Sequence, residues 1–161
     1  MKRFWISLLC LFLIFALPSC KKTQYNDTPT ANSLADSVLG VLDDPDGYAV
    51  AEHDLLEGYF HRPDNAADFT VRIRADRNNI DEFGIYHVAD GDVREMATLL
   101  EGYLSQSLEL NRDWYDSYIP TETPKLRRAE VRTFGNYAVY AILSDADRMA
   151  FFAAVENALS K

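Results

Sequence analysis

Cysteine and histidine are scarce in this chain, and basic residues are outnumbered by acidic ones. Two cysteines and three histidines occur among 161 residues, and 16 Lys and Arg stand against 25 Asp and Glu, for a formal charge of −9 at pH 7. Binding to phosphate backbones depends on Lys and Arg that displace counterions, so this balance argues against a nucleic-acid partner. The length favours one domain, and 48% hydrophobic residues suffice for a core.

Sequence motifs of common catalytic sites are missing as well. The chain has no G-x-S-x-G elbow, no phosphate-binding loop and no G-x-G-x-x-G run. In an EF-hand register, the acidic turn at 43–47 would place a carboxylate at neither end of the loop, because the end positions are Leu42 and His53. The histidines, His53, His61 and His87, also lack H-E-x-x-H spacing. We therefore predict no catalytic residue, no metal site and no cofactor. A catalytic pair of carboxylates stays open as an alternative, because separation and burial define it.

The first twenty residues have the layout of a secretory signal peptide. Lys2 and Arg3 precede an apolar run from 4 to 17, in which Ser7 is the only polar residue. As a helix this run would span about 21 Å, which is short for a hydrocarbon core of about 30 Å. A removed signal covering residues 1–19 is predicted, and an uncut signal anchor is the alternative.

The signal ends in a motif with cysteine at its last position. Leu17-Pro18-Ser19-Cys20 resembles the lipobox of bacterial lipoproteins, with Leu17 three residues before the cysteine and the small Ser19 directly before it. The resemblance implies cleavage before Cys20, a diacylglycerol thioether on its sulfur, and fatty acyl chains such as palmitate on the new amino terminus. The alternative is an ordinary residue after a plain signal. Cys10 would leave with the signal, so the mature chain would have no disulfide.

Residues 20–33 are predicted to be the lipidated cysteine and a polar tether, because they contain almost nothing apolar. As a coil, this tether would span about 20 Å. Residues 34–161 are then a single globular domain.

Within residues 34–161 the period of the apolar residues indicates two hairpins. From Phe69 to Ala75, apolar and polar residues alternate, which is typical of a strand with one wet face. Residues 82–89 predict its antiparallel partner. Gly135-Asn136 is a two-residue hairpin signal between strands predicted at 125–134 and 137–143.

Three helices are predicted around these hairpins. The first runs from Asn32 or Ser33 to the turn at 43–47, the second opens at Asp92, and the third follows Ser144. The apolar stripes of the second and third helices are Val93, Met96, Ala97, Leu100, Leu104 and Leu108, then Met149, Phe152, Val155 and Leu159. Residues 51–60 indicate a further helical turn, and 114–124 an aromatic loop. The order αββαββα predicts an α+β fold, a two-layer sandwich whose mainly antiparallel four-stranded sheet has helices packed on one face.

Two groups of residues are candidates for a contact surface. Alternation along the strands could place arginines on one exposed sheet face, where they would attract an anionic ligand or an acidic partner. The aromatic residues of the predicted loop form the second group. The candidates are Arg72, Arg74, Arg128, Arg132, Trp114 and Tyr118. The alternative interpretation is that the charged residues keep the open face soluble.

Residues 34–159 also carry a series of short marks in a fixed order. They are Asp81-Glu82-Phe83-Gly84-Ile85-Tyr86, Tyr118 with Pro120, Lys125-Leu126, and Gly135-Asn136-Tyr137-Ala138-Val139. In order and spacing these marks resemble a family of uncharacterised bacterial lipoproteins, known as a numbered domain of unknown function. The resemblance implies a lipoprotein signal, which agrees with the interpretation of Cys20. It implies no catalytic residue, substrate or cofactor.

Together these observations predict a non-enzymatic binding or accessory protein of the cell envelope. Its expected location is the extracytoplasmic face of the cell membrane, to which the lipid anchor holds it, with an envelope protein as a further partner. The first alternative is a carboxylate-dependent enzyme acting on envelope polymers. The second is a structural spacer or sensor.

Overall fold

An antiparallel five-stranded sheet organises the protein. A computed structural model describes residues 23–51, 66–76, 78–89 and 91–161. The strands are β1 Tyr48–Val50, β2 Ala66–Arg74, β3 Glu82–Val88, β4 Glu130–Phe134 and β5 Tyr137–Ile142. They lie in the order β1-β2-β3-β5-β4. The helices are α1 Ala31–Val38, α2 Val93–Tyr118, α3 Thr123–Arg127 and α4 Asp145–Leu159, with 3-10 turns at Leu39–Val41 and Pro45–Gly47.

The α+β class and the antiparallel sheet are confirmed, but the predicted strand count is wrong. The additional strand is β1, which pairs with β2 through Tyr48 opposite Arg74 and Val50 opposite Arg72. It has only three residues and lies at the sheet edge. So short a segment contains too few residues for a period of two to be recognised.

The prediction that helices cover one face is also wrong, because they cover both. Helices α1 and α4 pack on one face and α2 and α3 on the other. The reason lies in the central strands: all six residues of β5 are buried, and β3 is buried at Phe83–Tyr86. Strands that are apolar on both sides need a cover on both sides. The alternation of β2, on which the prediction depended, indicates only one wet face.

The face under α1 and α4, called here the α1/α4 face, is filled with rings and aliphatic chains. Phe83 and Phe151 are fully buried, and their ring centroids lie 4.6 Å apart. Ser144 caps helix α4 as predicted, because its side chain accepts a hydrogen bond from the Asp147 backbone N–H. Met149 was expected to face inward, but it is 69% exposed and Phe151 is buried instead. The stripe of α4 is therefore shifted at its start.

The opposite face, called the α2 face, is covered mainly by the long helix. The Asp92 side chain accepts from the Arg94 N–H and caps α2, whose predicted residues Met96, Leu100 and Leu104 are buried. The helix continues to Tyr118, so the aromatic loop predicted at 114–124 begins too early. The first residue that breaks a helix in this stretch is Pro120.

The strand predicted at 125–134 also begins later, since 123–127 form α3 and β4 starts at Glu130. Pro124 lies in the first turn of α3, a position that suits its fixed φ. The two-residue turn is confirmed, with Gly135 at a φ of 59° between β4 and β5.

The segment predicted to be a free tether is shorter than expected. Tyr25 packs edge-on against Phe134, with ring centroids 6.0 Å apart. The backbone N–H of Asn26 donates to the Leu159 carbonyl, and the Tyr137 hydroxyl donates to the Pro29 carbonyl over 2.6 Å. Helix α1 then begins at Ala31, with Thr30 as its cap, rather than at Asn32 or Ser33 as predicted. Residues 23–30 of the predicted tether therefore belong to the folded domain.

Candidate functional site

A cavity of about 420 Å³ lies on the α2 face, between the sheet and the C-terminal half of α2. Its size falls in the range of small-molecule sites in proteins, about 300–1,000 Å³. Strand residues and helix residues form opposite walls. The sheet contributes Val71, Ile73, Arg74, Glu82 and Ile142, and α2 contributes Tyr103, Ser107, Asn111, Trp114 and Tyr115. The wall is thus partly apolar and partly polar.

Glu82 places a carboxyl group in this wall. It occupies the first position of β3, and its Oε1 accepts hydrogen bonds from the Tyr140 hydroxyl at 2.6 Å and the Tyr103 hydroxyl at 2.7 Å. Burial raises the pKa of Glu82 above its ordinary value, while the two hydroxyl donors lower it. A raised pKa on a carboxyl that lines a cavity is a feature of functional sites.

Gly84 allows Tyr140 to reach Glu82. These two residues are paired across β3 and β5, and the Tyr140 ring lies over the position where a side chain at 84 would stand. A Cβ added there would collide with the ring, lying 2.9 Å from its Cδ1. A glycine in a strand commonly marks such a close approach. Because residue 84 has no side chain, the Tyr140 ring can lie over this position and place its hydroxyl at Glu82.

Asp81 also lines the cavity, but it has a countercharge. Its Oδ1 lies 2.7 Å from Lys125 Nζ, which is also 2.8 Å from Glu122 Oε2. Within the described part of the chain, no ion pair involves Glu82. The cavity thus holds one carboxylate neutralised by lysine and one whose described partners are neutral hydroxyls.

Trp114 and Tyr118, the predicted aromatic contact residues, lie close together on α2 rather than in a loop. Their ring centroids are 5.2 Å apart, and Trp114 also packs against Tyr115 at 5.4 Å. Trp114 is 52% exposed and Tyr118 is 70% exposed. Because Trp114 lines the cavity and is also half-exposed, it forms the solvent side of the cavity wall.

The predicted arginine surface is not assembled. Arg72 is 4% exposed and lies under α1, where its Nη2 is 2.6 Å from Asp36 Oδ1 and 2.8 Å from Asn32 Oδ1. The face that was expected to be open is covered by a helix, so Arg72 is part of the packing. This outcome corrects the expectation of an exposed sheet face.

The other three arginines are distributed and paired within the chain. Arg74 lies at the β1 side of the sheet and pairs with Asp44 at 2.9 Å. Arg132 lies on β4 at the opposite edge, where it pairs with Glu130 and its guanidinium stands 4.4 Å from the centre of the Phe152 ring. Arg128 follows α3 and pairs with Asp145. No common patch results from these positions.

Of the histidines, only His87 lies in the described residues. Its ring stands between Asp27 and Asp68, at 3.2 Å from each, and stacks on Tyr137 at 4.5 Å. It links the amino-terminal segment to the sheet. In the described ranges, no group of three or more His, Cys, Asp or Glu side chains is placed to hold a metal ion.

The residues of the predicted signal and anchor, Leu17, Ser19 and Cys20, lie outside the described residues, as do His53 and His61 and most of the predicted turn at 51–60. No helix that the structure describes combines the length and the apolar character needed to cross a bilayer.

Sequence reasoning did not select Glu82 as a site residue, although a signal for it exists. Residues 82, 84 and 86 of a strand share one face, and Tyr86 is 1% exposed. A carboxylate on the buried side of a strand needs partners. That pattern identifies Glu82 once it is known that both faces of β3 are covered.

The chain matches no family model, no curated protein and no solved structure. The resemblance to uncharacterised lipoproteins therefore stays a prediction, and a functional proposal has to depend on the geometry of the cavity.

Proposed function

We propose that this protein is a lipid-anchored, extracytoplasmic binding protein of the cell envelope that takes a small organic ligand into the cavity between α2 and the sheet. The cavity is the observation that supports this proposal. It is large enough for a small molecule, and apolar residues surround one carboxylate that two hydroxyls hold in place. Ligand sites in proteins typically combine such apolar walls with a few fixed polar groups.

The anchor sequence supports the proposed location. Only Lys21 and Lys22 separate Cys20 from Thr23, the first residue of the described domain. A lipidated Cys20 would therefore hold the domain close to the bilayer surface rather than about 20 Å away on a coil. Each of the two lysines would add about 1 kcal/mol of attraction to anionic head groups.

Binding is favoured over the alternative of a carboxylate-dependent enzyme acting on envelope polymers. Hydrolysis of glycosidic bonds commonly uses two carboxyl groups, one on each side of the scissile bond. Among the described residues, two carboxylates line the cavity, and Asp81 is held by Lys125. Glu82 would therefore have to act without a second free carboxylate from this part of the chain. The remaining alternative, a spacer or sensor without a ligand, gives no physical reason for a carboxylate in a cavity wall.

A thermal-shift screen of the full chain in detergent tests the binding function. Ligands of the cavity should raise the Tm of the wild type, because a ligand that binds only the native state stabilises it. The variant Ile73→Phe fills the cavity and should abolish the shift. Val50→Phe adds the same ring at an exposed position on the neighbouring strand, where Val50 is 58% exposed, and should retain it. Equal shifts in both variants, or no stabilising compound, would contradict the proposal.

Mass spectrometry of native material tests the anchor. The expected amino terminus is Cys20 carrying the mass of a diacylglyceryl group and an acyl chain, and Cys20→Ser should move the protein from the membrane fraction to the soluble fraction. A bare thiol at Cys20, or a leader still attached, would contradict the lipid anchor without affecting the cavity.

A further inference from the structure

The charge balance of the cavity indicates which ligands it would accept. An ionised carboxylate that leaves bulk water is unfavourable unless hydrogen bonds and a countercharge compensate it. For Glu82, hydroxyls satisfy Oε1, whereas Oε2 accepts no hydrogen bond from the residues described here. No cation of the described ranges pairs with it either. A group that donates hydrogen bonds and carries a positive charge would supply both missing interactions.

Among the residues that the structure describes, the groups that face Glu82 are neutral. They come from three elements: Tyr86 of β3, Tyr140 of β5 and Tyr103 of α2. Burial raises the pKa of each of these tyrosines, so all three stay protonated at neutral pH. Two described cations lie at the cavity: Lys125 pairs with Asp81 and Glu122, and Arg74, which lines the cavity, pairs with Asp44. These five groups together have one more negative charge than positive charge. The electrostatic environment of the cavity therefore favours a cation.

The walls around Glu82 suit the remainder of such a ligand. Aromatic faces attract organic cations, tryptophan most strongly, and Trp114, Tyr115 and Tyr103 line the cavity. On the sheet side, Val71 is 2% exposed and Ile142 is 4% exposed, which gives an apolar surface for a hydrocarbon arm. A carboxylate, aromatic rings and aliphatic side chains thus meet in one volume.

We propose that the ligand is an organic cation, an ammonium group on an apolar arm, with the ammonium at Glu82 and the arm between the aliphatic wall of the sheet and the aromatic residues of α2. This inference rests on the proposed function of the cavity as a binding site and adds the chemical class of its ligand.

Three probes of similar shape and different charge test this inference: 2-phenylethylammonium, 2-phenylethanol and 3-phenylpropanoate. The chain has two tryptophans, Trp5 and Trp114, so the full chain with Trp5→Phe in detergent reports on the cavity through Trp114 fluorescence alone. At pH 7 the cation should bind at least about tenfold more tightly than the alcohol, as a charged hydrogen bond implies. The carboxylate should bind most weakly.

The same titration in two variants assigns the preference to one side chain. Glu82→Gln keeps the shape and removes the charge, and should bring the cation to within about twofold of the alcohol. Glu109→Gln is the matched control, because Glu109 lies on α2 and is exposed; it should leave the preference unchanged. A measurement that needs no variant is the wild-type preference for the cation, which should decrease from pH 7 to pH 4 as Glu82 becomes protonated.

Equal binding of the alcohol and the cation, or an unchanged preference in Glu82→Gln, would overturn the cationic class while leaving the cavity as a binding site. The same holds if none of the three probes binds to a protein that responds to other compounds in the thermal-shift screen. Failure of both the probes and the screen would overturn the proposed function as well.

Discussion

The two faces of the sheet are built from the same strands but differ in what they provide. On the α1/α4 face, Phe83 and Ile85 pack against the rings of α4 and are fully buried. On the α2 face, the alternate residues of β3 include Glu82 and Gly84, and a cavity remains beneath the helix. One face thus supplies stability, and the other accepts imperfect packing around a polar group. The difference shows that consecutive residues of one strand can contribute either to a packed core or to the wall of a cavity.

The largest expected effect comes from truncating a buried side chain on the α1/α4 face. Phe151→Ala should lower the free energy of unfolding by about 3–5 kcal/mol, because it removes a fully buried ring and leaves a cavity. Trp114→Ala, on the cavity side, should cost about 1 kcal/mol or less, since surface substitutions have small effects. Urea denaturation of the two variants measures both values. Equal costs would show that the two faces do not differ in this way in their contribution to stability.

Gly84→Ala tests the constraint that the cavity face places on β3. The new methyl group would collide with the Tyr140 ring, and overpacking of this kind costs about 1–3 kcal/mol. Gly102→Ala on α2 is the matched control, because no atom lies within 4 Å of its added Cβ. It should stabilise the helix by about 0.5–1 kcal/mol. A harmless Gly84→Ala would mean that Tyr140 can move without loss.

Loss of the countercharge of Arg72, the buried arginine on the α1/α4 face, should give the next largest effect. Asp36→Asn removes the charge that neutralises Arg72 and should cost about 1–2 kcal/mol, since hydrogen bonds between charged groups exceed neutral ones. Asp116→Asn breaks an ion pair with Arg127 in which both side chains are substantially exposed. Its cost should be about 0–1 kcal/mol. If thermal denaturation gives the same cost for both, the buried position of Arg72 adds nothing.

The smallest expected effect is a pH dependence of the free energy of unfolding that arises from Glu82 on the α2 face. Burial raises the pKa of Glu82 above its ordinary value of 4.5, so at intermediate pH the native state binds this proton more strongly than the unfolded chain does. The free energy of unfolding therefore decreases as the pH rises from the unfolded pKa through the folded pKa. Glu82→Gln should lack this decrease, so its stability relative to the wild type should increase from pH 4 to pH 7. Parallel curves of the free energy of unfolding against pH for the variant and the wild type would contradict this prediction.

Much of the fold follows from local patterns in the sequence. The hairpin at Gly135-Asn136 needs a positive φ, and the sequence supplies glycine there. The caps at Asp92 and Ser144 identify the starts of two helices because their side chains accept from nearby backbone N–H groups. These features depend on a few neighbouring residues and require no knowledge of distant contacts.

The errors have a different physical origin. Phe83 and Tyr86 belong to opposite faces of β3, and both are buried, but a run that is apolar on both sides contains no period that shows where its covers come from. Arg72 resembled an exposed strand residue because its partners, Asp36 and Asn32, lie on another element. The cavity was not predicted because it lies between the sheet and α2. No local sequence pattern indicates how closely two elements far apart in the chain pack together.

The sequence by itself determined the α+β class, the antiparallel hairpins and the helix caps, because short-range periodicity and backbone chemistry encode them. Only the tertiary structure decided that helices cover both faces, that Arg72 is buried, and that Glu82 meets two tyrosine hydroxyls in a cavity. Those facts arise from contacts between residues far apart in the chain, and such contacts form only when the sheet and its helices pack together.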